Sequence, residues 1–516
     1  MNMIINHPRK WLTASFLFLL FISLVLYMAQ REGSKPDPEP NSYRADYHFT
    51  APDHWKNDPQ RPIYLNGKYH YYYLYNQDYP EGNGTEWRHA TSDDLVHWKD
   101  EGVAIPKYTN ENGDVWSGSV VVDHQNTAGF GENAVVAVVT QPSANGQQEQ
   151  YLWYSTDNGQ TFSPHKKEPI MTNPGVEAFR DPKIIWEDQS KKWIMLIAEG
   201  SKIGFYKSKN LKEWHYTGGF QTENIGLIEC PDLFQMRADN GSIKWIMGVS
   251  ANGQAKGNPN TYAYWVGNYN GETFVPDHAK PKWLDHGFDW YAGVTFKDGK
   301  SDDKLDHRYA LAWMNNWAYA NNTPTIEEGF NGVDSIVRKI ELKKDEHGGY
   351  NLTSQPNKEI DQLIQSTEVY HKLKVEGSKT LEIKGDVYQL EADIRWSDLK
   401  NVGFRLRESS DQTRHIDVGF FPEGGYSYVN RSYTNHPDNT NQMLESRAPL
   451  EINKKKVHLK ILVDKTSIEV FIDGGKVVHS NLVFPPKEDQ GITLFSKGGM
   501  AIFENVEIKH MGAIHD

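Results

Sequence analysis

The chain has 516 residues, more than one ordinary core organises, and this length predicts two or three domains. Its formal net charge of −13 comes from acidic residues scattered along the chain, which argues against nucleic acid or an anionic membrane surface as partner. A single cysteine, Cys230, excludes an internal disulfide. The aromatic share of 12%, rich in Trp and Tyr, suits all-β packing or stacking platforms for sugar rings.

The first thirty residues point to export. Arg9 and Lys10 precede an unbroken apolar run over residues 11–28, about as long as a bilayer span requires. The basic flank keeps the N-terminus in the cytoplasm and sends the bulk of the chain out, so an extracellular protein is expected. Tyr27-Met28-Ala29 lacks a small residue at its first position. A cleaved signal peptide and an uncleaved membrane tether through residues 11–28 therefore both stay open. A polar, Pro-rich spacer follows at residues 31–43, and the whole N-terminal segment is read as 1–45.

From residue 46 onward helical periodicity nearly vanishes. Short runs rich in β-branched and aromatic residues take over, such as Lys68 to Tyr75, Ala134 to Val139, Trp193 to Ala198 and Trp245 to Val249. A weak repeat organises them. Ser92-Asp93-Asp94-Leu95-Val96-His97-Trp98 resembles Ser208-Lys209-Asn210-Leu211-Lys212-Glu213-Trp214, with related turns ending at Phe162 and Phe274. A recurrence of roughly 50–65 residues built from short strands predicts propeller blades, each turn carrying an aromatic that packs back between blades. About five such periods fit residues 46–356, giving a five-bladed β-propeller. After Gln355-Pro356, a charged segment from Asn357 to Thr367 reads as a linker helix. Alternating strands then run from Tyr388 to Ile394, Gly403 to Glu408, Ile416 to Phe420, Val457 to Val463 and Ser467 to Ile472. They predict a C-terminal β-sandwich, so residues 357–516 are read as linker and sandwich. The class is all-β.

A site on a propeller axis takes one or two residues from each blade. Three carboxylates recur in unusual contexts. Asp58 lies in Trp55-Lys56-Asn57-Asp58-Pro59, read as a turn before a first strand at Ile63. Asp181 lies in Arg180-Asp181-Pro182, where the neighbouring Arg is expected to keep it ionised. Glu229 lies between apolar Ile228 and Cys230, a setting that suits a general acid. One ionised and one protonated carboxyl are the minimum for glycoside hydrolysis, the third serving substrate hydroxyls. Trp55, Asn57, Trp87, Trp116, Ser117, Arg180 and Trp313 are the expected substrate-binding groups, with Asp289-Trp290-Tyr291 beside them. The His residues show no metal-ligand spacing, so no metal or other cofactor is expected. Pro231 directly after Cys230, with no basic partner marked, makes a cysteine nucleophile a poor reading.

The ordered series Trp55 to Pro59, Trp116-Ser117-Gly118-Ser119, Arg180-Asp181-Pro182, Glu229-Cys230-Pro231 and Asp285 to Ala292 resembles glycoside hydrolase family 32, the family of invertases, inulinases and levanases. The resemblance covers nearly all of residues 46–510. It implies a five-bladed propeller joined to a β-sandwich and a retaining double displacement on β-fructofuranosides. By position it makes Asp58 the nucleophile, Glu229 the acid/base and Asp181 the binder of fructose hydroxyls. Three departures stand out: Gln60-Arg61 where the family commonly has Asn-Gly, Leu74 where it commonly has Gln, and Val337-Arg338 where it has Pro-Arg. The first two are expected near the substrate. The chain is most similar to members that degrade levan, a β-2,6-fructan, to short oligomers such as levanbiose, and a monomer is expected. An exo-acting fructosidase on levan, inulin or sucrose, and a non-catalytic fructan-binding propeller, are the alternatives.

Overall fold

The computed structural model describes residues 43–82, 84–438, 443–451 and 455–514. The apolar run at 11–28, and with it the choice between signal peptide and tether, lies outside the described residues. Within them no helix is long and apolar enough to cross a membrane.

Five antiparallel sheets surround one axis. Their inner strands are His54–Leu65, Gly118–Asp123, Arg180–Glu187, Ile228–Arg237 and Tyr291–Lys297, and each touches the next, closing the ring. Three further strands step outward from each. A short parallel pairing of Phe330–Asn331 against His54 and Trp55 ties the end of the fifth blade's insertion to the first blade.

The ring is held by five apolar clusters, one at each junction between blades. Tyr72, Trp87 and Trp153 fill the first junction, and Leu152, Ile184 and Trp193 the second. Leu196, Leu233 and Trp265 fill the third, Tyr262, Trp290 and Ile340 the fourth, and Tyr69, Tyr73 and Phe296 the last. The predicted turn aromatics sit here. Phe162, Trp214, Phe274 and Trp98 each pack into the junction between their own blade and the preceding one. A buried ring of this size contributes about 2 kcal/mol.

The turns are one device used four times. An Asx side chain accepts hydrogen bonds from two backbone N–H groups further along: Asp94 from Val96 and His97, Asp157 from Gln160 and Thr161, Asn210 from Lys212 and Glu213, and Asn270 from Glu272 and Thr273. Each turn has a residue of positive φ: Leu95, Leu211 and Gly271 in three of them, and Asn158 with Gly159 in the other. The side-chain oxygen replaces the hydrogen bonds that the reversal takes from the ladder.

The sandwich is built on Gly491–Met511. Its first part pairs with Asn401–Glu408 and its second with Tyr388–Trp396, so one strand serves both halves. Leu390, Phe404, Ile461 and Phe503 fill the space between. The expected linker helix is corrected: only a 3-10 turn, Lys358–Leu363, forms. The chain from Ile364 to Thr380 is a strand along Gly491–Met511, mostly exposed and charged on its outer side. That edge position hides the alternation by which strands are recognised.

Buried ion pairs lock the sandwich to the propeller. Arg338 pairs with Asp285 at 2.8 Å and with Glu469 at 2.8 Å. Arg431 pairs with Asp289 at 3.0 Å. His48 sits 2.8 Å from Asp464. Burial opposes its charge, but hydrogen bonds to Asp464 and Glu469 raise it to about 9.

Candidate active site

The inner strands carry the candidate residues at their N-terminal ends, where the ladder is deliberately broken. The register slips beside Asp58, between Lys56 and Pro59. It slips again opposite Asp181, between Glu229 and Asp232 and between Tyr291 and Val294. In three blades the residue at the break has positive φ: Asp181 at 61°, Cys230 at 49° and Ala292 at 52°. Such bulges re-aim a side chain from the sheet face toward the axis, and the strain persists because packed blades over-determine it. Asp58 is therefore not in a turn before the first strand. It lies within a twelve-residue strand, and Pro59 is tolerated because it borders the bulge.

Three carboxylates from three blades meet in one cleft of about 770 Å3, lined also by Trp55, Asn57, Trp116, Ser117 and Arg180. Ser117 donates to Asp58 Oδ2 at 2.7 Å, and Asn57 Nδ2 donates to Oδ1 at 3.2 Å. Asn57 is itself held by Trp55 Nε1 at 2.9 Å. Gly118 lets the second blade come this close, since a Cβ there would lie 2.2 Å from the Val138 carbonyl oxygen. The Cys230 backbone N–H donates to Asp181 Oδ2 at 2.9 Å. Glu229 is gripped at both oxygens: Arg180 Nε donates to Oε1 at 3.1 Å, and the Tyr291 hydroxyl makes a short hydrogen bond to Oε2.

Burial, followed by the charge of Glu229, raises Asp58 to about 6, against hydrogen bonds from Ser117 and Asn57 that lower it. Burial, then the charge of Glu229, also holds Asp181 well above the usual carboxylate range. The expectation that Arg180 keeps Asp181 ionised is corrected. The guanidinium lowers Asp181, but burial outweighs it, and its ion pair is with Glu229. Like charges crowded in a partly dry site resist ionising together, so Asp58 and Asp181 hold their protons toward neutrality. The Cys230 thiol touches both Asp58 and Asp181 at 3.7 Å. Burial, then the charge of Asp181, pushes it well up, which keeps it a thiol and removes it as a nucleophile.

Two expected ligand-binding aromatics are corrected. Trp87 and Trp313 are fully buried and do not line the cleft. Trp87 donates to the Trp116 carbonyl at 3.0 Å from inside the first junction, and Trp313 packs against Trp55 at 5.8 Å. Asp289 and Trp290 are likewise buried, which leaves Tyr291 as the member of that triplet that reaches the carboxylates. Among the departures, Gln60 and Arg61 face away from the cleft. Gln60 accepts from Gly118 N at 2.8 Å, and Arg61 crosses the axis to the Ile184 carbonyl at 2.7 Å. Only Leu74 lines the cleft. Sequence reading missed Tyr79, Trp317, Asn321 and Ile326, which complete the wall. The second Trp in Trp313-Met314-Asn315-Asn316-Trp317 was the available signal.

Comparison with known proteins agrees with this architecture. A family model described as "Glycosyl hydrolases family 32 N-terminal domain" matches residues 48–356, and "Glycosyl hydrolases family 32 C terminal" matches residues 359–510. A levanbiose-producing levanase of Bacillus subtilis (strain 168) is 62% identical over 516 residues, covering 98% of this chain and 99% of the relative. A levanbiose-producing levanase of Geobacillus stearothermophilus is 63% identical over 396 residues, 77% of this chain and 100% of the relative. The crystal structure of exo-inulinase from Aspergillus awamori superposes with a TM-score of 0.83 at 28% identity, covering 92% of this chain and 99% of the other. The chain belongs to glycoside hydrolase family 32.

Proposed function

We propose that this family 32 glycosidase hydrolyses the β-2,6 linkages of levan outside the cell and releases levanbiose by a retaining double displacement. The observation that carries the reading is the convergence of Asp58, Asp181 and Glu229 in one cleft, with Glu229 held at both oxygens by Arg180 and Tyr291. Likeness to two levanbiose-producing levanases supports the choice of substrate and product.

In this reading Asp58 attacks the anomeric C2 of a bound fructosyl ring. Glu229 gives its proton to the departing glycosidic oxygen, and the oxocarbenium-like centre develops beside Asp58. Water then attacks the covalent intermediate while Glu229 takes a proton from it, and configuration is retained. Asp181 accepts hydrogen bonds from ring hydroxyls and holds the ring as charge develops. Asn57 and Ser117 fix the attacking carboxylate, and Trp55 and Trp116 supply the apolar walls that exclude water.

Chromatography of products from levan, inulin and sucrose tests the reading. Levanbiose from levan is expected. Free fructose as the main product would replace it with the exo-fructosidase, and no product from any fructan would leave a binding propeller. Asp58→Ala and Glu229→Ala should each remove hydrolysis while the fold stays intact.

A further inference from the structure

Releasing a disaccharide rather than a monosaccharide requires a place for a second ring beyond the one that is cleaved. The leaving oxygen must face Glu229, which stands with Arg180 on the third and fourth blades. The next unit of levan toward its non-reducing end hangs from O6, across the furanose ring from that bond. The wall on that far side belongs to the first blade and to the insertion that follows Trp313. It is apolar and aromatic, with Leu74, Trp55, Tyr79, Trp317 and Ile326 all lining the cleft.

The wall is built, not incidental. Trp317 is 46% exposed, a large ring left in solvent at the cleft edge. It stands 6.2 Å from Trp55 with planes tilted by 30°, and it packs on Trp313 at 4.9 Å. Tyr79 lies on Trp55 at 5.0 Å, also tilted by 30°. The Tyr79 hydroxyl donates to Asn321 Oδ1 at 3.1 Å and accepts from Asn331 Nδ2 at 3.4 Å. The insertion itself is anchored from below by the sandwich. The Tyr319 hydroxyl donates to Asp289 at 2.5 Å, Arg431 pairs with Asp289 and donates to that hydroxyl at 3.0 Å, and Asp438 N donates to the Asn322 carbonyl at 3.0 Å. A rigid aromatic shelf with a hydrogen-bonding rim is what a sugar face needs, because it offers apolar C–H contact on one side and hydroxyl partners at the edge.

We propose that Trp317, with Tyr79 and Asn321, forms the subsite for the second, non-reducing fructosyl unit, and that this shelf sets levanbiose as the product. Arg431 acts as a positioning residue through Tyr319. The inference rests on the proposed levan hydrolysis.

The test uses the full-length enzyme and its Trp317→Ala and Trp317→Phe variants. Losing one aromatic stacking contact costs about 1.4 kcal/mol at the upper end, so Trp317→Ala should lower the levanbiose-to-fructose product ratio on levan by about tenfold. KM for levan should rise more than kcat falls. Inhibition by added levanbiose should weaken about tenfold relative to inhibition by fructose, and Trp317→Phe should restore part of each effect. An unchanged product ratio, or equal weakening of inhibition by levanbiose and fructose, overturns the subsite. Fructose as the first product of the unmodified enzyme instead defeats the reading on which it rests, so the two failures are distinguishable.

Discussion

Replacing Asp58 by Asn removes a charge that burial makes costly and keeps the side chain's shape. Asp58 is raised from 3.8 to about 6 in the folded protein, burial being the first cause and Glu229 the main charge against it. A carboxyl held that far above its unfolded value contributes stability that is complete below about pH 4. That contribution is lost as pH rises through 6. The rise corresponds to about 3 kcal/mol at neutral pH. Two terms reduce what Asn recovers: Asp58 is only half-buried, so solvent screens part of the cost, and one of the hydrogen bonds from Ser117 and Asn57 loses its charged acceptor, worth about 1 kcal/mol. Asp58→Asn should therefore be more stable than the unmodified protein by about 1–2 kcal/mol at pH 8. The advantage should shrink to nothing or reverse by pH 4. Urea unfolding at intervals from pH 4 to 8 reads it directly. A difference that does not vary with pH, or one that grows as pH falls, refutes the electrostatic account of the cleft.

The remaining expectations concern other parts of the molecule. Tyr291→Phe removes a hydroxyl hydrogen bond to Glu229 and should lower kcat/KM on levan by about tenfold to a hundredfold while the fold stays intact; an unchanged kcat/KM contradicts the assignment. Cys230→Ala should retain most activity, and thiol alkylation of the native enzyme should be slow, because burial keeps the sulfur protonated. His48 is raised above its unfolded value to about 9, so the stability it contributes is complete below pH 6.5 and is lost as pH climbs through 9. Asp464→Asn breaks that buried pair and should cost about 3–5 kcal/mol at neutral pH, flattening the alkaline loss seen in urea titrations; an alkaline limit left as steep as before would contradict the role of His48.

The propeller was legible because its turns are local. Asp94, Asn210 and their counterparts recur with an aromatic a few residues on, and the same side chains make the turn and fill the junction. Asp58, Asp181 and Glu229 stood out because strain is written into the sequence as unusual neighbours, an Asn and a Pro or an Arg and a Pro. What sequence could not separate is a Trp that packs from a Trp that faces solvent. Nothing local to Trp87 or Trp313 marks them off from Trp55 and Trp116, and only the packing of the blades and of the 317–326 insertion decides which ring reaches the cleft. The pairing of Arg180 was misjudged for the same reason. Asp181 is adjacent in sequence, but the break in the strand turns the guanidinium toward Glu229 on the next blade. The resemblance places Gln60 and Arg61 near the substrate, yet Gln60 is taken up by the Gly118 N–H and Arg61 by the Ile184 carbonyl, contacts between blades that sequence does not display. The long strands at 364–380 and 491–511 escaped notice because each serves as an edge or a bridge and shows no clean two-residue alternation.

The central claim is that Asp58 attacks levan and carries away two fructosyl units at once. Rapid acid quench of the enzyme during turnover of levan, followed by intact mass and peptide mapping, tests it most directly. The account predicts an adduct heavier by two anhydrofructose units on the peptide that contains Asp58, absent from Asp58→Asn. An adduct of one unit, an adduct on another residue, or retained turnover in Asp58→Asn would contradict it.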